Sequence, residues 1–302
     1  MLYLILSVLV SASLIFIFKL FQHYNVHTFQ AIVVNYTVCI FVGLLFPGGT
    51  DVLQPGIFNH TWAYAAMALG TIFILTFYLM ALSTHKAGVT ATSVAAKISM
   101  VIPVLFSLLV LRTSLKDYNI INYLGMAAAV VAIVLTSIRP RNDGDVKASR
   151  AVTLLLPFII FLNSGIADSL INYTNEHYLQ PHQASQFTML TFTTSATAGL
   201  LVLVVVLLLG KVRLNFKSIA AGVLLGIPNY FSIFFLLLAL SAFGNDGAFL
   251  YPINNIGIIL VGAIGAVALF KEKLTKLNLI GIAVAVLAII LISYQEILAN
   301  LP

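Results

Sequence analysis

Asn122 to Ser137 reads NYLGMAAAVVAIVLTS, and Asn278 to Ser293 reads NLIGIAVAVLAIILIS. The two stretches agree at nine of sixteen positions and lie 156 residues apart. A second pair, Phe77 to Ser83 (FYLMALS) and Phe235 to Ser241 (FLLLALS), agrees at five of seven positions, 158 apart. Alanine-rich apolar helices resemble one another by chance, but two matches in the same order at nearly the same offset mark an internal repeat.

Neither sixteen-residue stretch contains a charge, and the rest of the chain has the same character. Of 302 residues, 61% are hydrophobic and 8% charged, with a mean hydropathy of +1.08. A soluble domain averages about 45–50% apolar and about 25% charged. Apolar surface on this scale calls for lipid as the solvent. Each span needs about 20 mostly apolar residues folded as a helix, because lipid offers the backbone no hydrogen bonds. Spans are expected near 2–21, 28–46, 61–83, 89–111, 119–138, 151–173, 185–209, 218–240, 247–269 and 277–295. The first segment lacks the basic start of a signal peptide and runs past Ser11-Ala12-Ser13 into further apolar sequence, so it is read as span one.

The breaks between spans carry turn residues, such as Pro47-Gly48-Gly49 and Gly244-Asn245-Asp246-Gly247. Only Arg139 to Arg150 (RPRNDGDVKASR) is a polar linker, and it falls at the midpoint. The expected organisation is therefore a five-helix repeat over 1–138, a linker over 139–150 and a second five-helix repeat over 151–302. Five is odd, so the second repeat must be inverted relative to the first. The fold class is an all-α membrane protein of about ten transmembrane helices in two inverted five-helix repeats. Inverted repeats with a site at their interface are a secondary-transporter design.

Gly247 to Pro252 (GAFLYP), Leu269 to Thr275 (LFKEKLT) and Asn278 to Gly281 (NLIG) resemble the drug/metabolite transporter superfamily, EamA type. That pattern has a proline-containing ninth span, a short loop with a glutamate, here Glu272, and a glycine early in the last span, here Gly281. Gly125 matches in the first half, whose loop reads Arg112-Thr113-Ser114-Leu115 without a glutamate. Lys19 resembles the lysine that commonly ends the family's first span. The resemblance implies a ten-helix permease, often an efflux carrier of the bacterial cytoplasmic membrane, and leaves the substrate open.

Polar residues inside spans mark candidate sites, since each must face a partner, a cavity or water. Lys97 lies about eight residues into span four, and Thr90, Ser93 and Lys97 share a helical face. Asp168 is the only deep acidic residue, with Ser164 and Asn172 on its face of span six. A structural Lys97–Asp168 ion pair and a substrate or proton site are both open readings. Asn35, Tyr78, Asn229, Tyr251 and Asn255 complete the expected substrate-binding set. Singly, serines and threonines in spans more often bond their own i−4 carbonyl. Pro228 and Pro252, with span four, are candidate gates. Gly125 to Leu135 and Gly281 to Leu291 hold no polar side chain and read as packing surfaces. A monomer, or a homodimer through span five or span ten, follows from that.

Cys39 is alone and apolar-flanked, and the six histidines sit at span ends on both sides, so no metal and no other cofactor is expected. The net charge of +6 does not imply nucleic acid. Lys19, Lys86, Arg139, Arg141, Lys147, Arg150, Lys211, Arg213, Lys217, Lys271, Lys273 and Lys276 all fall on one face, against Arg112 and Lys116 on the other. Positive-inside reasoning puts both termini outside, whereas the resemblance implies both inside. The expected function is transport of a small polar, amino-acid-like metabolite by alternating access, as an exporter, with protons as a candidate coupling ion. A membrane receptor or structural protein is the alternative. An intramembrane enzyme would need a catalytic set, such as paired aspartates on facing helices, which the sequence lacks.

Overall fold

The computed structural model describes residues 2–46, 50, 56–106, 119–138, 150–180, 183–242 and 247–299. The linker over 139–149 and the loop holding Arg112 lie outside them. Among the described residues the chain forms twelve α-helices and no strand. These are α1 (Leu2–His23), α2 (Thr28–Leu44), α3 (Thr61–Lys86), α4 (Val89–Ile98), α5 (Val101–Phe106) and α6 (Ile120–Ser137). Then follow α7 (Arg150–His177), α8 (Ala184–Leu208), α9 (Phe216–Ala242), α10 (Gly247–Phe270), α11 (Lys276–Ile292) and α12 (Tyr294–Ala299). Seven of them are long and apolar enough to cross a membrane: α1, α3, α6, α7, α8, α9 and α10. Shorter apolar helices cover Thr28–Leu44, Val89–Pro103 and Lys276–Ile292. Leu201, Leu208, Phe216 and Ile264 are among many large apolar side chains on the outside. In water such a surface would be an aggregation liability; against acyl chains it is the expected outer face.

The contacts divide the chain into two compact units, each drawing on both halves of the sequence. The first comprises Met1–Lys19, Leu79–Gly165 and Phe231–Pro302. Its centre is the pair α6 and α11, where Ala129, Ala132, Ala285 and Ala288 are fully buried. Small side chains let the two backbones approach. A Cβ on Gly125 would lie 3.0 Å from the Ala288 carbonyl, and one on Gly281 would lie 2.9 Å from the Thr136 nitrogen. The start of α6 meets the end of α11 and the reverse, so the two run antiparallel. In the same unit α1 runs parallel to α10, with Ser7 near Asn254, Val8 against Gly257 and Phe16 against Gly265.

The second unit comprises Leu20–Tyr78 and Ile166–Tyr230. Here α2 runs parallel to α9, and α3 parallel to α8. The His27 N–H donates to Ser218 Oγ at one end of the first seam. Gly222 and Gly226 follow one turn apart, where a Cβ would sit 2.6 Å from the Ala31 carbonyl oxygen and 2.7 Å from that of Asn35. In the second seam Gly70 approaches the Thr191 carbonyl, and Ser195 donates to the Gly70 carbonyl at 2.8 Å. Between the seams α2 and α8 run antiparallel, with Gly43 at Met189 and Val33 at Gly199.

Proline does not break each of the candidate gates in spans four, eight and nine. Helices α9 and α10 continue through Pro228 and Pro252, and α7 continues through Pro157. The fourth span, by contrast, divides into α4 and α5, with Ser99 and Met100 as a turn between them. Pro103 cannot donate to the Ser99 carbonyl four residues back and its ring crowds that carbonyl. Ser99 instead accepts the Ile102 N–H at 2.9 Å, a tighter i+3 closure.

Candidate functional site

Helix α4 is only 10 residues long and holds Thr90, Ser93 and Lys97. Gly88 precedes it at φ 98 and supplies no side-chain cap. The missing cap comes from the loop after α10. The Glu272 carboxylate accepts the Val89 N–H at 3.1 Å and lies 3.4 Å from the Thr90 hydroxyl. Glu272 reaches that point because α10 ends with Lys271 in the left-handed region, at φ 51. The Lys271 and Glu272 N–H groups return to the carbonyls of Val267 and Ala266, at 3.1 and 2.9 Å. Such a close satisfies orphan carbonyls and turns the chain sharply.

Along α4 the hydroxyls are largely consumed by the backbone. Thr92 donates to the Gly88 carbonyl at 2.7 Å and sits 2.8 Å from the Ser83 hydroxyl. Ser93 donates to the Thr90 carbonyl at 3.0 Å, and packs on Gly262 of α10. Ser93 is fully buried. Lys97 is half-buried in the last turn of α4, immediately before the break. A cation there faces the negative end of the helix dipole. Asn255, on α10, places its amide 3.6 Å from the Met100 sulfur in that same break. Beside it, Ser7 Oγ donates to the side-chain Oδ1 of the buried Asn254 at 3.1 Å. Tyr251, one turn earlier on α10, is 41% exposed.

In the second unit, Asn35 and Asn229 come together as a fully enclosed amide pair. Asn229 Nδ2 donates to Asn35 Oδ1 at 3.2 Å and lies 3.4 Å from the Cys39 sulfur. Asn35 Nδ2 and the Tyr36 hydroxyl are buried with no hydrogen-bond partner among the described residues. Tyr36 is wedged between Phe77 and Phe192, with centroids 5.3 and 6.1 Å away. Tyr78 contacts Phe29 edge-on and is 41% exposed. Asp168 is half-buried in α7. Asn172 lies on α7 as well; its side chain is outside the described residues.

Of the expected residues, the structure brings Asn35 to Asn229 and sets Ser93 and Lys97 one turn apart on α4, with Asn255 at its end. Lys97 belongs to the first unit and Asp168 to the second. Sequence reasoning missed three features. Glu272 carried the resemblance, but its capping role needed the fold. Gly222 and Gly226 have the GxxxG spacing that marks close helix contact and were legible. The orphaned Tyr36 hydroxyl left no trace in sequence, since an apolar-flanked tyrosine is ordinarily read as packing.

The apolar helices define a multi-pass helical membrane protein. No family model matches the chain. A protein of Haemophilus influenzae described as uncharacterized is 25% identical over 303 residues, spanning 97% of this chain and 98% of the relative. A solved structure described only as the crystal structure of a protein is similar with a TM-score of 0.53 and 14% identity. It covers 98% of this chain and 99% of its own, and that likeness concerns the fold alone.

Proposed function

We propose that the chain is a ten-span carrier of the drug/metabolite transporter type, moving a small polar metabolite by alternating access. The observation that carries this reading is the broken fourth span with Lys97 at the break. Discontinuous helices that expose helix ends and a charge within the membrane are typical of transport sites. A half-buried cation on the negative end of α4 suits a substrate with an anionic group, as amino-acid-like metabolites have. The export direction and proton coupling belong to the same proposal, as does residence in a bacterial cytoplasmic membrane.

Helix polarity supports ten spans in two inverted repeats. Counting α4 and α5 as span four, the parallel pairs are spans one and nine, two and eight, three and seven. The antiparallel pairs are two and seven, four and nine, five and ten. Alternating crossings require that parity. The antiparallel partners are also the ones that the internal repeat relates, as contact across a two-fold axis in the membrane plane would produce.

The test is metabolite profiling of cells with and without the gene, followed by flux of the leading candidates into and out of proteoliposomes. A candidate whose movement needs the protein and collapses in Lys97→Met supports the carrier. Saturable binding with no flux would overturn it in favour of a receptor.

A further inference from the structure

Helix α4 has compensating charges at both of its ends. Glu272, from outside the helix, sits on the first turn, where its oxygens take the Val89 N–H at 3.1 Å and meet the Thr90 hydroxyl at 3.4 Å. Lys97 occupies the last turn. A helix of 10 residues has its first N–H groups without partners inside the helix, so they need an acceptor from elsewhere. Its own N-cap is Gly88, without a side chain, and its C-terminal end is the Ser99–Met100 turn. Eight of its ten residues are buried, but most of these side chains are small: Val94, Ala95 and Ile98 face the core, and Ser93 faces Gly262.

We infer that Glu272 is the positioning residue of α4: its carboxylate holds the helix by its first turn and so sets where Lys97 stands. The inference rests on the proposed role of Lys97 in the carrier, and it assigns to the loop after α10 a function that its place at the helix ends would not suggest. The loop is built for it. The left-handed Lys271 and the two N–H returns to α10 fix the direction in which Glu272 leaves that helix. Glu272 therefore couples the end of α10 to the start of α4, while Gly262 packs on Ser93 further along and Asn255 meets Met100 in the turn that follows α4.

A single engineered thiol tests this without knowledge of the substrate. Cys39 is the one native cysteine, so Cys39→Ser gives a background with no thiol. Ala96→Cys then reports on α4 beside Lys97, and Ala128→Cys on α6 is the control; both positions are half-buried. The rate of maleimide labelling is followed in purified, detergent-solubilised protein. Loss of a cap typically raises local opening about five- to tenfold. Glu272→Ala is expected to speed labelling at position 96 by that factor and leave position 128 unchanged. Glu272→Gln keeps an acceptor and loses the charge, so a rise of about two- to threefold is expected. Should Glu272→Ala fail to fold, the Gln variant decides by the same comparison. An unchanged rate at 96, or an equal rise at 128, overturns the inference. Labelling does not depend on flux, so failure here is separable from failure of the carrier reading.

Discussion

Asn122 and Asn278 do the same work on each other's helix. Asn122 accepts the Asn119 N–H at 3.0 Å, closing the cap of α6, and donates to the carbonyls of Leu291 and Ile292 at the end of α11. Asn278 accepts the Thr275 N–H at 2.9 Å, closing the cap of α11, and donates to the carbonyls of Leu135, Thr136 and Ile138 at the end of α6. The last carbonyls of a helix have no donor of their own. Each asparagine thereby serves one helix start and one helix end, both of which are costly to leave unsatisfied near lipid.

Removing either amide leaves a cap and at least two buried carbonyls unpaired. Asn122→Ala and Asn278→Ala should each destabilise the protein by about 1–3 kcal/mol. Asn→Leu should do no better, because volume is not what is lost. Unfolding of the purified protein in mild detergent, followed by circular dichroism, would register this. Wild-type stability in both alanine variants would show that water or lipid headgroups replace the amides.

Gly226 allows α9 to lie on α2 backbone to backbone. A Cβ there would meet the Asn35 carbonyl oxygen at 2.7 Å and Val38 Cβ at the same distance. Gly226→Val must push the helices apart, at a cost of about 1–3 kcal/mol, and it should loosen the Asn35–Asn229 pair one turn on. Heightened reactivity of Cys39 toward maleimide in the folded protein is the readout. A buried, unreactive Cys39 in this variant would refute the mechanism.

Pro103 keeps the fourth span in two pieces. Pro103→Ala restores an N–H for the Ser99 carbonyl and removes the ring, a change worth up to about 3 kcal/mol in a helix interior. The expected result is a more heat-resistant protein with slower transport, since α4 and α5 would lose their independence. Greater stability with undiminished flux would separate the break from function.

Lys97→Met keeps the length and apolar stem of the side chain and removes the charge. A protein that folds, with flux reduced at least about tenfold, is expected if the ammonium meets substrate or proton. Circular dichroism and a liposome flux assay on the same preparation distinguish this from misfolding. Normal flux in Lys97→Met would exclude the role assigned to that residue.

Composition alone determined that lipid is the solvent, and hydrophobic length located the helices, because burying the backbone in hydrocarbon leaves few alternatives. The repeat of Asn122 to Ser137 in Asn278 to Ser293 was legible as well, down to the asparagine and glycine that begin each copy. What those residues do was not legible. Asn122 and Asn278 are a match at offset 156 in sequence; only the antiparallel packing of α6 and α11 makes each the donor for the other's terminal carbonyls. Four in-span prolines, Pro103, Pro157, Pro228 and Pro252, read alike, yet among the described residues only Pro103 is associated with a division, since backbone satisfaction depends on neighbours that composition does not name. Glu272 and Thr90 are 182 residues apart, and no local periodicity links a loop carboxylate to a distant helix start. Spacing along one helix is a property of sequence; which helix end meets which carboxylate is decided by packing alone.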